Sequence, residues 1–202
     1  MKRRTQARAM WHDPEFQATH RPALVRALAE GATVDGVNLP GVVLGAQSPL
    51  GLWNVGLYQR PIRRSDFSFG LFETSFVQAQ IEDSTFRACD FVCSSFQKTV
   101  VTRVIFDGSR FEASSFLDAV IVETSFRECR FKDRRALGSS FVRAKLVGSD
   151  FTDARFKNTE FRAARFDNCA FDGALFEGCD LRGTKFLGGA PSEQQLQECS
   201  RS

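Results

Sequence analysis

A period of five residues governs most of this 202-residue chain. Counting every fifth residue from Leu71 to Phe186 gives 24 positions, and 17 of them are Phe. Every Phe after Phe72 falls on this one phase. A fixed internal period of this kind indicates a repeat architecture, in which each unit packs only on its neighbours.

The residue two places before each of these central positions is small. Ala, Ser, Thr or Cys occupies 21 of the 24, as in the unit SSFQK at 94–98. Residues two apart lie on the same face of an extended strand, so the small residue and the Phe point inward together. The two remaining residues must turn the chain, and Gly, Asn and Asp are frequent there. An α-helix repeats every 3.6 residues and does not match this period.

Similar outward residues recur twenty places apart, which indicates four pentads per coil and side-by-side stacking in successive coils. The recurring residues are Val100 with Val120, Val122 with Val142, Arg110 with Arg130, Arg135 with Arg155, Arg162 with Arg182, and Lys145 with Arg165 and Lys185.

These units resemble the repeats of the pentapeptide-repeat family over residues 69–188. The resemblance implies an all-β fold, a right-handed quadrilateral parallel β-helix that forms a solenoid. The Phe at the centre of each unit is most similar to the quinolone-resistance branch. That likeness implies a protein that binds a type II topoisomerase, DNA gyrase, and protects it from topoisomerase poisons. The alternative is a general protein-interaction scaffold unrelated to topoisomerases.

The repeat divides the chain into four parts. We predict an N-terminal arm with a capping helix, irregular first coils, a regular β-helix and a C-terminal cap or tail, at residues 1–31, 32–68, 69–189 and 190–202.

Inside these parts the pattern makes finer predictions. Pro22–Glu30 reads as a short helix, because Pro opens it and Gly31 follows it. A change of phase between Phe67 and Leu71 predicts a bulge or loop there. We also expect a short helix in the tail.

One unit breaks the pattern, in the stretch FKDRRALGSSF at 131–141. Arg134 stands at a small inward position and Ala136 at a central one. A buried charge is unfavourable unless it is paired. The break is either a tolerated defect or a kink that presents Arg134 and Arg135 to a partner.

The chain offers no evident reaction chemistry. No combination of nucleophile, base and orienting group is visible, so we predict a protein that is not an enzyme and has no catalytic residues. We expect no cofactor and no metal, because the two His lie far from the six Cys, which have no CxxC pair. With no apolar leader or membrane segment, we expect a cytoplasmic protein that does not enter membranes.

A basic surface is expected in the C-terminal half. Lys145, Arg165 and Lys185 are predicted to stack on one side, with Arg162 and Arg182 just before the same corner. The group is either a solvated edge or a docking ridge for an acidic partner.

An apolar surface is the second candidate. Val100, Val120, Val122 and Val142 are expected to lie together. They either reflect the strand propensity of β-branched residues or form an interface with a partner or a second copy of the chain.

Charge is distributed unevenly along the chain. Residues 1–65, 66–126 and 127–189 carry net charges of +5, −5 and +4. A protein that imitates DNA throughout its length would be acidic throughout, so only the middle third fits such a role. We do not expect direct nucleic-acid binding, because the repeat directs the aromatic rings inward, away from any base.

Overall fold

The computed structural model describes residues 2–29, 31–52, 55–132 and 138–201. The chain begins with α1 (Lys2–Ala9), a 3₁₀ turn at Met10–His12 and α2 (Pro14–Leu28). Short strands follow: β1 (Val34–Asp35), β2 (Val43–Leu44), β3 (Pro61–Arg63), β4 (Leu71–Phe72), β5 (Gln80–Glu82), β6 (Asp90–Val92), β7 (Val100–Thr102), β8 (Arg110–Glu112), β9 (Val120–Val122), β10 (Arg130–Lys132), β11 (Lys145–Val147), β12 (Arg155–Lys157), β13 (Arg165–Asp167), β14 (Leu175–Glu177) and β15 (Lys185–Leu187).

The coil has four sides. Within the described residues, the odd-numbered strands form an eight-stranded parallel sheet (side 1) and the even-numbered strands a seven-stranded parallel sheet (side 3). Isolated parallel bridges form the other two sides, one through Thr85 and Ile105 (side 2) and one through Ser95 and Ser115 (side 4). The chain visits the sides in numerical order. The prediction of an all-β, quadrilateral parallel solenoid is confirmed.

Aromatic rings fill the interior. Phe96 is 0% exposed, and its ring stacks on those of Phe76 and Phe116 at centroid distances of 4.6 and 4.7 Å. The small inward residues satisfy buried carbonyls, since the Ser94 and Thr99 hydroxyls donate to the carbonyl oxygens of Phe72 and Phe76 at 2.8 Å. The sequence pattern therefore gives a core that is both packed and hydrogen-bonded.

The inward residue of β4 is Phe72, not Leu71. The phase of Phe67 continues to Phe72, so the phase change lies between Phe72 and Phe76 rather than before Leu71. Gly70 explains the choice, because a Cβ atom there would lie 2.6 Å from the Phe72 ring. The absence of that side chain leaves room for the larger ring to turn inward.

The register of the coils changes once after β10. Phe111 pairs with Phe131, twenty residues on, whereas Phe131 pairs with Phe156, twenty-five residues on. The spacing returns to twenty between Phe156 and Phe176. The chain thus carries one pentad more than a coil needs, where the sequence breaks its pattern.

Two predicted stacking pairs are wrong for this reason. Val122 pairs with Val147 instead of Val142. The partner of Arg155 is Arg130, not Arg135.

The N-terminal helix begins earlier than predicted. α2 starts at Pro14, because the Asp13 side chain accepts hydrogen bonds from the backbone N–H groups of Glu15 and Phe16, both at 2.9 Å. An Asp cap followed by Pro is a strong start signal. Pro22 lies inside the helix. Leu24 of α2 packs into the core.

The C-terminal tail forms turns instead of the helix that the sequence predicted. Leu196 is 6% exposed and joins the core, and the Gln195 side-chain amide donates to the carbonyl oxygens of Phe171 and Ala174 at 2.9 and 2.8 Å. Ser200 bridges to Asp180 on side 4. The tail therefore covers the end of the coil without helical structure.

The two N-terminal helices are too short or too polar to cross a lipid bilayer, and the described part of the chain has no other candidate.

Candidate interaction surfaces

The predicted basic row lies on side 1. Lys145, Arg165 and Lys185 are Cα partners in successive strands β11, β13 and β15, and all three are exposed. We call these three residues the basic ridge. Arg165 has a carboxylate nearby, since its Nη2 lies 3.4 Å from Oδ2 of Asp167 in the same strand.

Arg162 and Arg182 lie next to the ridge, on side 4, and are neutralised locally. Arg162 lies 3.3 Å from Glu160 and 3.5 Å from Asp180, and Arg182 lies 2.6 Å from Asp180. The hydrogen bond from Arg182 holds the pKa of the Asp180 carboxyl below its usual value. These two arginines therefore add little net charge to the ridge.

The two arginines of the repeat break are a further predicted contact. Arg134 and Arg135 lie outside the described residues, so their role as partner contacts stays a prediction.

The predicted valine group divides between two sides. Val100 and Val120 pair on side 1, where Val100 is 43% exposed, and Val122 lies in the same strand as Val120. Val142 belongs to side 4, where its carbonyl accepts the backbone N–H of Asp118 at 3.0 Å. We call Val100, Val120 and Val122 the valine patch.

A third surface escaped the sequence prediction. Arg110, Arg130 and Arg155 are Cα partners in β8, β10 and β12 and form one row on side 3. We call these residues the arginine ladder. The sequence spacing predicts the pairing of Arg110 with Arg130. It does not predict Arg155 as the third residue, because the extra pentad changes the spacing from twenty to twenty-five. The twenty-residue spacing pointed to Arg135, and only the break in FKDRRALGSSF signalled a shift of register.

The members of the ladder differ in their counter-ions. Arg110 lies 3.9 Å from Asp90. Arg130 and Arg155 are exposed, and neither has an ion pair within the described ranges.

The lysines that lie beside the ladder, two residues further along the strands, are held by acidic neighbours. Lys132 Nζ contacts Glu112 at 2.6 Å, and Lys157 Nζ contacts Glu177 at 2.6 Å. Among the described residues of side 3, the basic side chains without an ion pair are thus Arg130 and Arg155.

The N-terminal helix α1 lies against the corner between sides 2 and 3, beside the ladder. Arg8 Nε donates to the carbonyl oxygen of Phe69 at 2.8 Å. Its Nη2 donates to the carbonyl oxygen of Gly70 and to Oδ2 of Asp90, both at 2.8 Å. Arg4 binds the carbonyl oxygens of Ala88 and Gly108 in the next two coils. Burial lowers the pKa of the Arg4 guanidinium, and the negative charge of Asp90 partly offsets this by raising that pKa.

Comparisons with known proteins point to one family. The model of the family "Pentapeptide repeats (9 copies)" matches residues 141–185. The structure is similar to that of HetL from the cyanobacterium Nostoc sp. strain PCC 7120, a pentapeptide-repeat protein involved in regulating heterocyst differentiation. The two share 13% sequence identity with a TM-score of 0.50, over 88% of this chain and 92% of HetL.

Two further solved structures give lower TM-scores. A pentapeptide-repeat protein of the Arabidopsis thaliana thylakoid lumen gives 18% identity and a TM-score of 0.38, over 58% of this chain and 73% of that one. The plasmid-mediated fluoroquinolone resistance protein QnrB1 gives 14% identity and a TM-score of 0.37, over 84% of this chain and 92% of that one. No curated protein matches the chain in sequence.

Proposed function

We propose that this chain is a pentapeptide-repeat protein, whose family model matches residues 141–185, and that it acts as a non-enzymatic module that binds another protein on its outer sides. The filled interior carries this proposal. Every central residue from Phe76 to Phe131 is at most 1% exposed. The outward residues of a rigid coil are then the groups available for recognition, at spacings that the strands hold constant.

We propose a type II topoisomerase, DNA gyrase, as the partner to test first. The support is the resemblance of the Phe-centred pentads to the quinolone-resistance branch. The basic rows on sides 1 and 3 favour contact through ion pairs over imitation of a DNA duplex, because a duplex is uniformly acidic.

A supercoiling assay with purified gyrase tests this partner. We expect micromolar protein either to inhibit supercoiling or to preserve it in the presence of a fluoroquinolone. Bovine serum albumin at the same concentration is the control. If the protein changes neither reaction, gyrase is not the partner, and the general interaction scaffold is the better description.

The basic ridge is the contact surface predicted from the sequence. Reversing its charge with Arg165→Glu and Lys185→Glu should weaken gyrase binding, and raising the salt concentration should weaken it further. Unchanged affinity would reject the ridge as the contact surface while leaving the function in place.

The valine patch is proposed as an interface with a second copy of the chain. Val120→Asp places a charge in the middle of the patch, so a homodimer should dissociate. Small-angle scattering measures the mass of both proteins. A mass that the substitution does not change would contradict a role in self-association.

A further inference from the structure

We propose that the arginine ladder on side 3 binds a short acidic segment of a partner protein, one that presents two or three carboxylates in a row. This inference rests on the proposed function of protein binding and names the chemistry of the partner. It concerns a different side of the coil from the basic ridge.

Stacking three arginines is unfavourable for the free protein. Arg130 lies directly between Arg110 and Arg155, and neighbouring strands are about 4.8 Å apart. Like charges directly opposite each other on adjacent strands are destabilising. The central arginine of the basic ridge has Asp167 beside it, whereas Arg130 has no carboxylate partner in the described part of the chain. The arrangement raises the energy of the free protein and leaves two guanidinium groups open to a ligand.

An acidic segment matches the spacing of the ladder. Carboxylates three or four residues apart on a helix have Cβ atoms about 5–6 Å apart, close to the separation of adjacent strands. Each guanidinium can hold a carboxylate through two parallel hydrogen bonds, a geometry that Lys cannot offer. Three stacked arginines therefore suit a single turn or two of an acidic helix.

The limits of the basic area exclude a long polyanion. Asp90 precedes Arg110 in the row, and the exposed apolar side chain of Leu175 follows Arg155. The ladder between them extends over three strands, roughly 10 Å. A nucleic-acid backbone that followed the row would meet a carboxylate at one end and an apolar side chain at the other, with no further basic residue in the row. The Phe rings from Phe76 to Phe166 are buried inside the coil, so they are not available to stack on bases.

The experiment uses a fluorescein-labelled, capped helical peptide with Glu at three positions spaced three and four residues apart, in an Ala/Gln background. The control peptide has Gln at those positions. Fluorescence anisotropy gives the affinity for the full chain and for two matched variants. Arg130→Glu reverses the centre of the ladder, and Arg165→Glu reverses the centre of the basic ridge.

We expect the Glu peptide to bind and the Gln peptide not to bind. Arg130→Glu should weaken binding at least about tenfold, because it removes one charge-assisted contact and repels the ligand. Arg165→Glu should leave the affinity within about twofold. The unfolding midpoint of Arg130→Glu should equal or exceed that of the parent, because the new carboxylate lies between two arginines.

Several results would overturn the proposal. These are no binding of the Glu peptide at micromolar protein, an equal loss in both variants, or tighter binding of a duplex oligonucleotide than of the peptide. If Arg130→Glu does not fold, Arg155→Gln replaces it with the same expected loss. An inactive supercoiling assay would remove gyrase as the partner without touching this result, so the two failures are distinguishable.

Discussion

At the scale of single residues, the fifth position of the pentads has a positive φ angle, which is unusual for residues other than Gly. Lys98, Arg103 and Ala113 have φ angles of 55°, 53° and 49°, in the left-handed region. Side chains with a Cβ atom disfavour that region by roughly 1–2 kcal/mol. The abundance of non-Gly residues there indicates that the stacked coils hold the turn against its local preference.

A substitution series at Ala113 tests this strain. Ala113→Gly should raise the free energy of unfolding by about 0.5 kcal/mol, because relief of the turn exceeds the entropy gained by the unfolded chain. Ala113→Val should lower it by about 1 kcal/mol or more, since a β-branched residue is a poor occupant of positive φ. Urea unfolding measures both. The reverse order, which strand propensity alone predicts, would contradict the explanation.

The stacked rings supply the opposing stabilisation. Phe116 is 0% exposed and lies 4.7 Å from the Phe96 ring and 4.6 Å from that of Phe141. Phe116→Ala should therefore reduce the free energy of unfolding by about 3–5 kcal/mol through lost burial and a cavity.

The matched control is Phe186→Ala in the last strand, where the ring is only partly buried. Its loss in the same urea experiment should be clearly smaller. Equal losses at both positions would show that burial does not determine the contribution of each ring.

At the scale of helices and strands, α1 lies directly against the first coil. A Cβ atom on Gly41 would lie 2.4 Å from the backbone carbonyl of Ala7. Below this contact Trp11 is 1% exposed and donates from its indole N–H to the carbonyl oxygen of Pro40 at 2.9 Å. Because α1 buries no side chain of its own, this contact and the two arginines hold it in place.

Gly41→Ala should release α1, since the backbone of the helix cannot move aside without breaking the arginine contacts. Limited trypsin digestion then cleaves after Arg4 and Arg8 faster than in the parent protein. Gly36→Ala is the control, because Gly36 has a similar φ of 63° but no atom within 4 Å of the added Cβ. Similar cleavage rates in both variants would assign the effect to backbone strain instead of the clash.

Prediction of the helices shows what local pattern can and cannot decide. Pro22 in PALVRALAE is a valid start signal, but the Asp13–Pro14 pair further upstream is a stronger one. α1 buries no side chain, so the sequence has no helical period of apolar residues that would predict it. Its position depends on carbonyl oxygens of distant coils that the local sequence does not reveal.

Across the entire solenoid, one extra pentad determines which outward residues share a side. Counting twenty residues across the break assigns Val142 to Val122 and Arg135 to Arg155, whereas the strands pair Val122 with Val147 and Arg155 with Arg130. With the extra pentad, each outward residue after the break moves by one side relative to that expectation. The arginine ladder is therefore recognised only when the extra pentad is counted.

Deleting residues 133–137 tests the register directly. The deletion restores a spacing of twenty between Phe131 and Phe156, so every strand pairing is retained and the unfolding midpoint should change little. The arginine ladder should also remain. Circular dichroism and urea unfolding measure the outcome.

The control deletion removes residues 113–117, which include a buried Phe. It shortens a coil of normal length and turns all later strands onto the wrong sides, so it should strongly reduce stability. A deletion of 133–137 that is equally damaging would show that the extra pentad is required by the fold.

The inward and outward positions could be read from the chain because they depend only on residues two and five apart, a local property of extended backbone and turns. That reasoning correctly placed the Phe core, the small inward residues and the Lys145, Arg165 and Lys185 row. The ladder and the division of the valines could not be read in this way. They depend on hydrogen bonds between residues twenty to twenty-five apart, and a single inserted pentad changes those partners without changing the local pattern.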